Sequence, residues 1–221
     1  MLSFSLPTSF TFVPLFTNPM ALLSDKELRT VVSVLAQKLD SLGIDYAIMG
    51  GAAICLLRPS HARKTEDVDL VLHVDHRMID AEALTALLIT TFPSEFEGVS
   101  QFGHMIPAFK LARPGETAQL NLETATRTTR NINGQAVKIF SAEWILREKI
   151  LSQYQRQGSE KERMDFRDLI RMIPLAEPNT PELDFNENPE MRGALANLLQ
   201  KRPELAQTLK TIIKCNALFG N

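Results

Sequence analysis

The sequence predicts a mixed α/β (α+β) core followed by a helical extension. Three observations lead there. Strand-like and helix-like apolar patterns alternate as far as about residue 140. From Ser141 onward the pattern is helical only. The composition is that of an ordinary folded domain, with 44% hydrophobic and 23% charged residues in 221 positions. A formal charge of −2 and a pI of about 6.1 exclude a polycationic nucleic-acid wrapper. Two cysteines, Cys55 and Cys215, make no disulfide framework and no zinc pattern, which points to a reducing, cytoplasmic setting. No apolar run approaches the roughly 20 residues of a membrane helix, so no membrane partner is expected.

The elements follow in order. Residues 1–24 carry no charged side chain and are broken by Pro7, Pro14 and Pro19. They fit neither a signal nor a transit peptide. Residues 1–21 are therefore expected to be an N-terminal tail, with the phenylalanines Phe4, Phe10, Phe12 and Phe16 leaving room for an arm that packs on a partner. Ser24 and Glu27 form a capping box ahead of a helix that Gly43 ends. Tyr46–Met49 reads as a buried strand, Gly50-Gly51 as a turn and 52–57 as a short helix. Residues 58–66 are polar loop. Val68 to Val74 forms a second strand, and 81–90 a helix closed by Phe92-Pro93. Residues 105–111 and 118–122 read as strands joined by a Pro-Gly turn, and Asn133-Gly134 is a turn into a strand at 136–140. Ser141 caps a helix carrying Trp144, and Gly158-Ser159 separates it from another at 164–173. Residues 174–186 are an expected linker, and 188–200 and 203–217 the last two helices. The expected division is a tail at 1–21, an α/β core at 22–140 and a helical region at 141–221.

Two short motifs carry the chemistry. Asp67 and Asp69 lie two apart at the start of an apolar strand, so both carboxylates project from one face while Val68 and Leu70 point inward. Two such carboxylates repel unless a cation lies between them, and hard oxygen ligands select Mg²⁺ or Mn²⁺. Gly50-Gly51 at a strand-to-helix junction lets backbone N–H groups approach a phosphate. Taken singly, the first motif is better explained as a solvated strand end, and the second is as weak, since a diglycine can simply make a tight turn.

Together they say more. A strand, Gly-Gly, a short helix, a polar loop and then Arg63-x-Thr65-x-Asp67-x-Asp69 on a second strand resembles the nucleotidyltransferase superfamily, with its DNA polymerase β-like fold. The similarity runs to small bacterial and fungal members related to abortive-infection and toxin–antitoxin nucleotidyltransferases. The resemblance implies a mixed sheet flanked by helices. It places Gly50 and Gly51 on the triphosphate, Arg63 and Thr65 in the nucleotide-binding loop, and Asp67 and Asp69 on divalent metal. It implies a nucleoside triphosphate, ATP first among them, and an acceptor that is a small molecule, a protein or an RNA end. Lys149 matches a helix lysine that meets nucleotide phosphates, although a solvated helix lysine explains it equally well. Asp165 and Asp168 resemble a later aspartate pair, for which ion pairs to Lys161, Arg167 or Arg171 are the plainer explanation. Trp144 is expected in the core. Fifteen residues separate Gly51 from Asp67, which implies an enlarged loop.

The family's third carboxylate falls on Asn121, a neutral side chain and a poor base. Glu123 lies on the same strand face, about 7 Å along. Asn121 and Glu123 complete the expected catalytic set with Asp67 and Asp69. The departure at Asn121 leaves a second reading open, a catalytically degenerate member that binds nucleotide or protein. His61 and His104 are weaker candidates for touching substrate. A sugar-nucleotide glycosyltransferase also uses Asp-x-Asp, but it leaves the diglycine unexplained.

Overall fold

Five strands form one mixed sheet around the segment that bears the two aspartates. The structure, a computed structural model, describes residues 8–12, 22–58, 63–65, 67–73, 77, 79–101, 104–108 and 126–220. The chain divides into two compact units between Phe140 and Ser141.

In the first unit the elements are β1 (Thr8–Phe12), α1 (Asp25–Ser41), β2 (Tyr46–Met49), α2 (Gly50–Leu57), β3 (Val68–Leu72), α3 (Ala81–Thr91), β4 (Glu97–Gln101), β5 (His104–Ala108), β6 (Arg127–Ile132) and β7 (Gln135–Phe140). The main sheet runs β1-β3-β2-β7-β6, and β4 pairs with β5 in a separate two-stranded sheet. β3 is antiparallel to both β1 and β2, β7 is antiparallel to β6, and β2 meets β7 in parallel at Ile48 and Ile139. The expected fold class is borne out.

α1 forms because its start is satisfied and its apolar positions recur every three to four residues. The Glu27 N–H donates to the Ser24 hydroxyl at 3.3 Å, and the Ser24 N–H donates to the Glu27 carboxylate at 2.8 Å. Leu28, Val31, Val32, Leu35, Ala36 and Leu39 are buried along one face. The core they share with the sheet includes Tyr46, Ile48, Leu70, Leu72, Val137, Ile139 and Phe140, each with 0–1% of its surface exposed. The β6–β7 hairpin turns at Asn133 (φ 51°) and Gly134 (φ 84°), the positive pair that a two-residue hairpin turn demands.

Three strands depart from the expectation. Thr8–Phe12, inside the expected tail, pairs along the whole of β3 and so corrects that reading for these five residues. The physical reason is the outer edge of β3, whose backbone donors and acceptors need a partner. Glu97–Gln101 supplies the partner of His104–Ala108, which was expected to pair downstream. β6 is also additional, and it reads poorly as a strand because only Ile132 of its six residues is buried. The expected strand at 118–122 and residue Val74 lie outside the described residues.

The second unit contains α4 (Ala142–Gln155), α5 (Glu160–Met172), α6 (Pro189–Lys201), α7 (Ala206–Ile212) and α8 (Asn216–Phe219). Ser141, Ser159 and Asn188 cap the first three helices by accepting backbone N–H bonds from Trp144, Glu162 and Met191. Trp144 is a core residue, as expected, with 2% exposure. The buried Gln153 amide donates to the carbonyls of Ile150 and Ala194, which stitches α4 to α6. Residues 174–186 are not a free linker, because Leu183 and Phe185 are buried and the Phe185 N–H donates to the Lys214 carbonyl at 2.8 Å. The Lys214 N–H returns the bond to Leu183 at 2.9 Å, and this extended pairing breaks the expected last helix into α7 and α8. Among the described residues, no helix is long and apolar enough to cross a membrane.

Candidate functional site around the diglycine turn

β3 presents Asp69 half-buried between Val68 and Leu70, both with 0% exposure. The alternation is the one expected of a strand with one face in the core. Asp67 stands just before the strand and is also half-buried. Across the ladder Asp69 lies opposite Met49, the last residue of β2. The chain then turns into α2 at Gly50, whose φ is +64°. That left-handed backbone is what glycine adopts without steric cost. A Cβ on Gly50 would lie 2.3 Å from the Asp69 Oδ2 atom, so the missing side chain is the space the carboxylate occupies.

Gly51 makes room for the loop in the same way. A Cβ there would lie 2.7 Å from both the Arg63 Nη2 and the Thr65 Oγ1 atoms. Thr65 is 4% exposed, and its hydroxyl lies within bonding distance of the Asp67 Oδ1 at 3.1 Å and the Asp67 carbonyl at 3.0 Å. One glycine thus seats Asp69, and the next seats the threonine that orients Asp67. Met49 gives α2 no side-chain cap. The helix behind it is apolar, with residues 51–56 all buried.

Gly50, Gly51, Arg63, Thr65, Asp67 and Asp69 are therefore brought together. Two positioning contacts escaped the sequence reading. The Leu23 N–H donates to the Thr65 carbonyl at 2.8 Å, and the Cys55 thiol donates to the Arg63 carbonyl at 3.5 Å. Cys55 follows Gly51 by four residues, so helical spacing alone puts it on the same face. The Arg63 guanidinium also bonds the Lys64 carbonyl.

Lys149 lies in the second unit. Its ammonium is 2.7 Å from the Asp165 Oδ1 and 3.4 Å from the Asp168 Oδ2, two carboxylates with 2% and 1% side-chain exposure. Arg156 reaches Asp165 at 3.3 Å and Arg171 reaches Asp168 at 3.7 Å. Asn121, Glu123 and His61 lie outside the described residues. His104 opens β5 opposite Gln101. Among the described residues, no group of three or more His, Cys, Asp or Glu side chains gathers where it could hold a metal ion.

No family model matches the sequence, and no curated protein matches it. Among solved structures, the chain is similar to an antigenic nucleotidyltransferase-like protein from Paracoccidioides brasiliensis. The two are 65% identical over 91% of this chain and 100% of that one, with a TM-score of 0.83. The chain belongs to the nucleotidyltransferase superfamily. Within this nucleotidyltransferase-like chain, the diglycine turn and the Asp67–Asp69 strand are neighbours in space as well as in the motif.

Proposed function

We propose that the protein is a Mg²⁺-dependent nucleotidyltransferase that moves NMP from a nucleoside triphosphate, ATP first among candidates, to a hydroxyl acceptor. The observation that carries this reading is the packing of both aspartates onto one turn, Asp69 directly on Gly50 and Asp67 through Thr65 on Gly51. Among the described residues the acids at this turn are these two carboxylates, with no histidine or cysteine gathered beside them as a third metal-binding group, and an all-oxygen pair fits Mg²⁺ or Mn²⁺. Such ions are commonly held by one or two carboxylates together with substrate phosphates and water. Asp67 and Asp69 would hold the metal, which neutralises charge on the phosphates when bound. The backbone N–H groups at the start of α2 and the Arg63 guanidinium suit the triphosphate. In the transfer, the acceptor oxygen bonds to the α-phosphorus as the α–β bridging P–O bond breaks. Pyrophosphate leaves with that electron pair, and the acceptor proton passes to a base, for which the sequence offers Glu123. Positioning and charge neutralisation carry most of such a reaction.

The test is calorimetry with each NTP in the presence of Mg²⁺, followed by transfer of labelled NMP to small-molecule, protein and RNA acceptors. Binding and transfer that are lost in both Asp67→Asn and Asp69→Asn support the proposal. Folded protein that binds no nucleotide sinks it. Binding without transfer to any acceptor favours the degenerate binding module instead.

A further inference from the structure

We infer that the N-terminal strand β1 is a positioning element of the site: it clamps the carboxylate-bearing strand and holds Asp69 against Gly50. The inference rests on the metal–nucleotide reading for its functional consequence, and on backbone geometry for the clamp itself.

β1 covers β3 without overhang, from Thr8 opposite Leu72 to Phe12 opposite Val68. Within that register Thr11 lies opposite Asp69. On the other side of β3, Met49 lies opposite the same residue. Asp69 is thus paired on both sides, at the end of the Asp69–Leu72 stretch that both neighbouring strands hold. A strand paired on one side only can fray or slip, and a one-residue slip turns every side chain to the opposite face. A five-residue strand held along its full length by β1 and over Asp69–Leu72 by β2 has neither freedom.

The N-terminal region then grips the same segment a second time. Beyond Phe12 the chain returns at Leu23, whose N–H donates to the Thr65 carbonyl at 2.8 Å. Asp67 stands between the two attachments, Leu23 on Thr65 and β1 on Val68–Leu72. The threonine gripped from behind by Leu23 is the one whose hydroxyl meets the Asp67 carboxylate. Both aspartates are therefore bracketed by backbone bonds from the first 23 residues.

The experiment compares the full chain with a variant lacking residues 1–12 and with Phe10→Pro, which breaks the strand at unchanged length. A peptide of residues 1–12 is then added back in trans. Two readouts are taken well below each variant's unfolding temperature: hydrogen exchange over residues 63–72, and affinity for Mn²⁺ with and without ATP. The clamp predicts faster exchange in that segment in both variants, restored by the peptide. It also predicts Mn²⁺ affinity weakened about tenfold, as when a metal ligand loses its outer support. Unchanged exchange overturns the clamp. Faster exchange with unchanged Mn²⁺ affinity reduces β1 to a stabilising strand and overturns its role in the site. If the full chain itself binds neither Mn²⁺ nor ATP, the proposed function fails, and the exchange result still decides whether the clamp exists.

Discussion

The Asp69 carboxylate occupies the place where a side chain on Gly50 would be: a Cβ there would lie 2.3 Å from Oδ2 and 3.1 Å from Cγ. Each residue explains the other. The aspartate can lean over the turn because the turn has no side chain. The turn must be glycine for a second reason as well, its φ of +64°.

Gly50→Ala accordingly meets two penalties. The left-handed backbone alone costs about 1–3 kcal/mol for a residue with a Cβ, and the Asp69 carboxylate must also move. We expect a lower urea midpoint together with loss of Mg²⁺–ATP binding by calorimetry. A variant that keeps both would show that the carboxylate position is irrelevant to the ligand.

At Gly51 the prediction differs in kind. Its backbone is not left-handed, and the groups within 2.7 Å are the ends of Arg63 and Thr65. Gly51→Ala should cost less stability than Gly50→Ala yet release Asp67 from the Thr65 hydroxyl. Thr65→Ala should reproduce that release, and Thr65→Ser should not, because serine keeps the hydroxyl. A double-mutant cycle of Gly51→Ala with Thr65→Ala, read as ATP affinity, should be clearly non-additive.

Lys149 offers a test of what its charge is for. Its ammonium is shared between two buried carboxylates. Removing the cation leaves Asp165 with Arg156 at 3.3 Å and Asp168 with Arg171 at 3.7 Å, so the cost is a part of the roughly 3–5 kcal/mol of a fully stranded buried charge. Lys149→Met should therefore lower the unfolding midpoint of the helical unit, followed by the fluorescence of Trp144, the single tryptophan. If stability were unchanged and ATP affinity fell, the lysine would be a phosphate ligand after all.

Two carboxylates predict opposite responses to pH. Burial pushes the Glu148 carboxyl above its ordinary value and Glu190 adds to the push, while Arg147 and Lys149 pull it partly back. The folded state then binds its proton more tightly than the unfolded chain, so stability falls as pH rises through that raised value. Glu148→Gln should stabilise the protein at pH 7, with the gain vanishing below about pH 4. Asp45 behaves in reverse. Burial pushes it up, but hydrogen bonds and charge from Lys138 and Arg127 outweigh this and hold it below the usual range. Its contribution is complete above the unfolded value and disappears as pH falls through the folded one. Asp45→Asn should be destabilising at pH 7, and urea midpoints of mutant and parent should converge on acidification.

Much of the site was legible because its signals are local. The Ser24–Glu27 box, the parity of Asp67 and Asp69, and the diglycine between strand and helix all depend on spacings of one to three residues. Other features depend on partners far away in the chain. β1 is uncharged and lies between Pro7 and Pro14, so only the open edge of β3 reveals its role. β6 buries one side chain and lacks alternation, so its pairing with β7 decides it. Lys149 meets carboxylates 16 and 19 residues away on another helix, which no single-helix periodicity displays.

The attachment of β1 to β3 also sets an order of events during synthesis. Thr8 pairs with Leu72, 64 residues later, so the first strand made must wait for its partner. At about 5–20 residues per second that interval is roughly 3–13 seconds. Throughout it, Thr8–Phe12, part of a stretch with four phenylalanines and no charged side chain, has emerged ahead of the strand it will pair with. The segment that covers the outer edge of β3 is thus exposed to aggregation on the ribosome until Leu72 has been made. Conditions that slow elongation between residues 12 and 72 should lower the yield of soluble protein more than equal slowing in the helical unit.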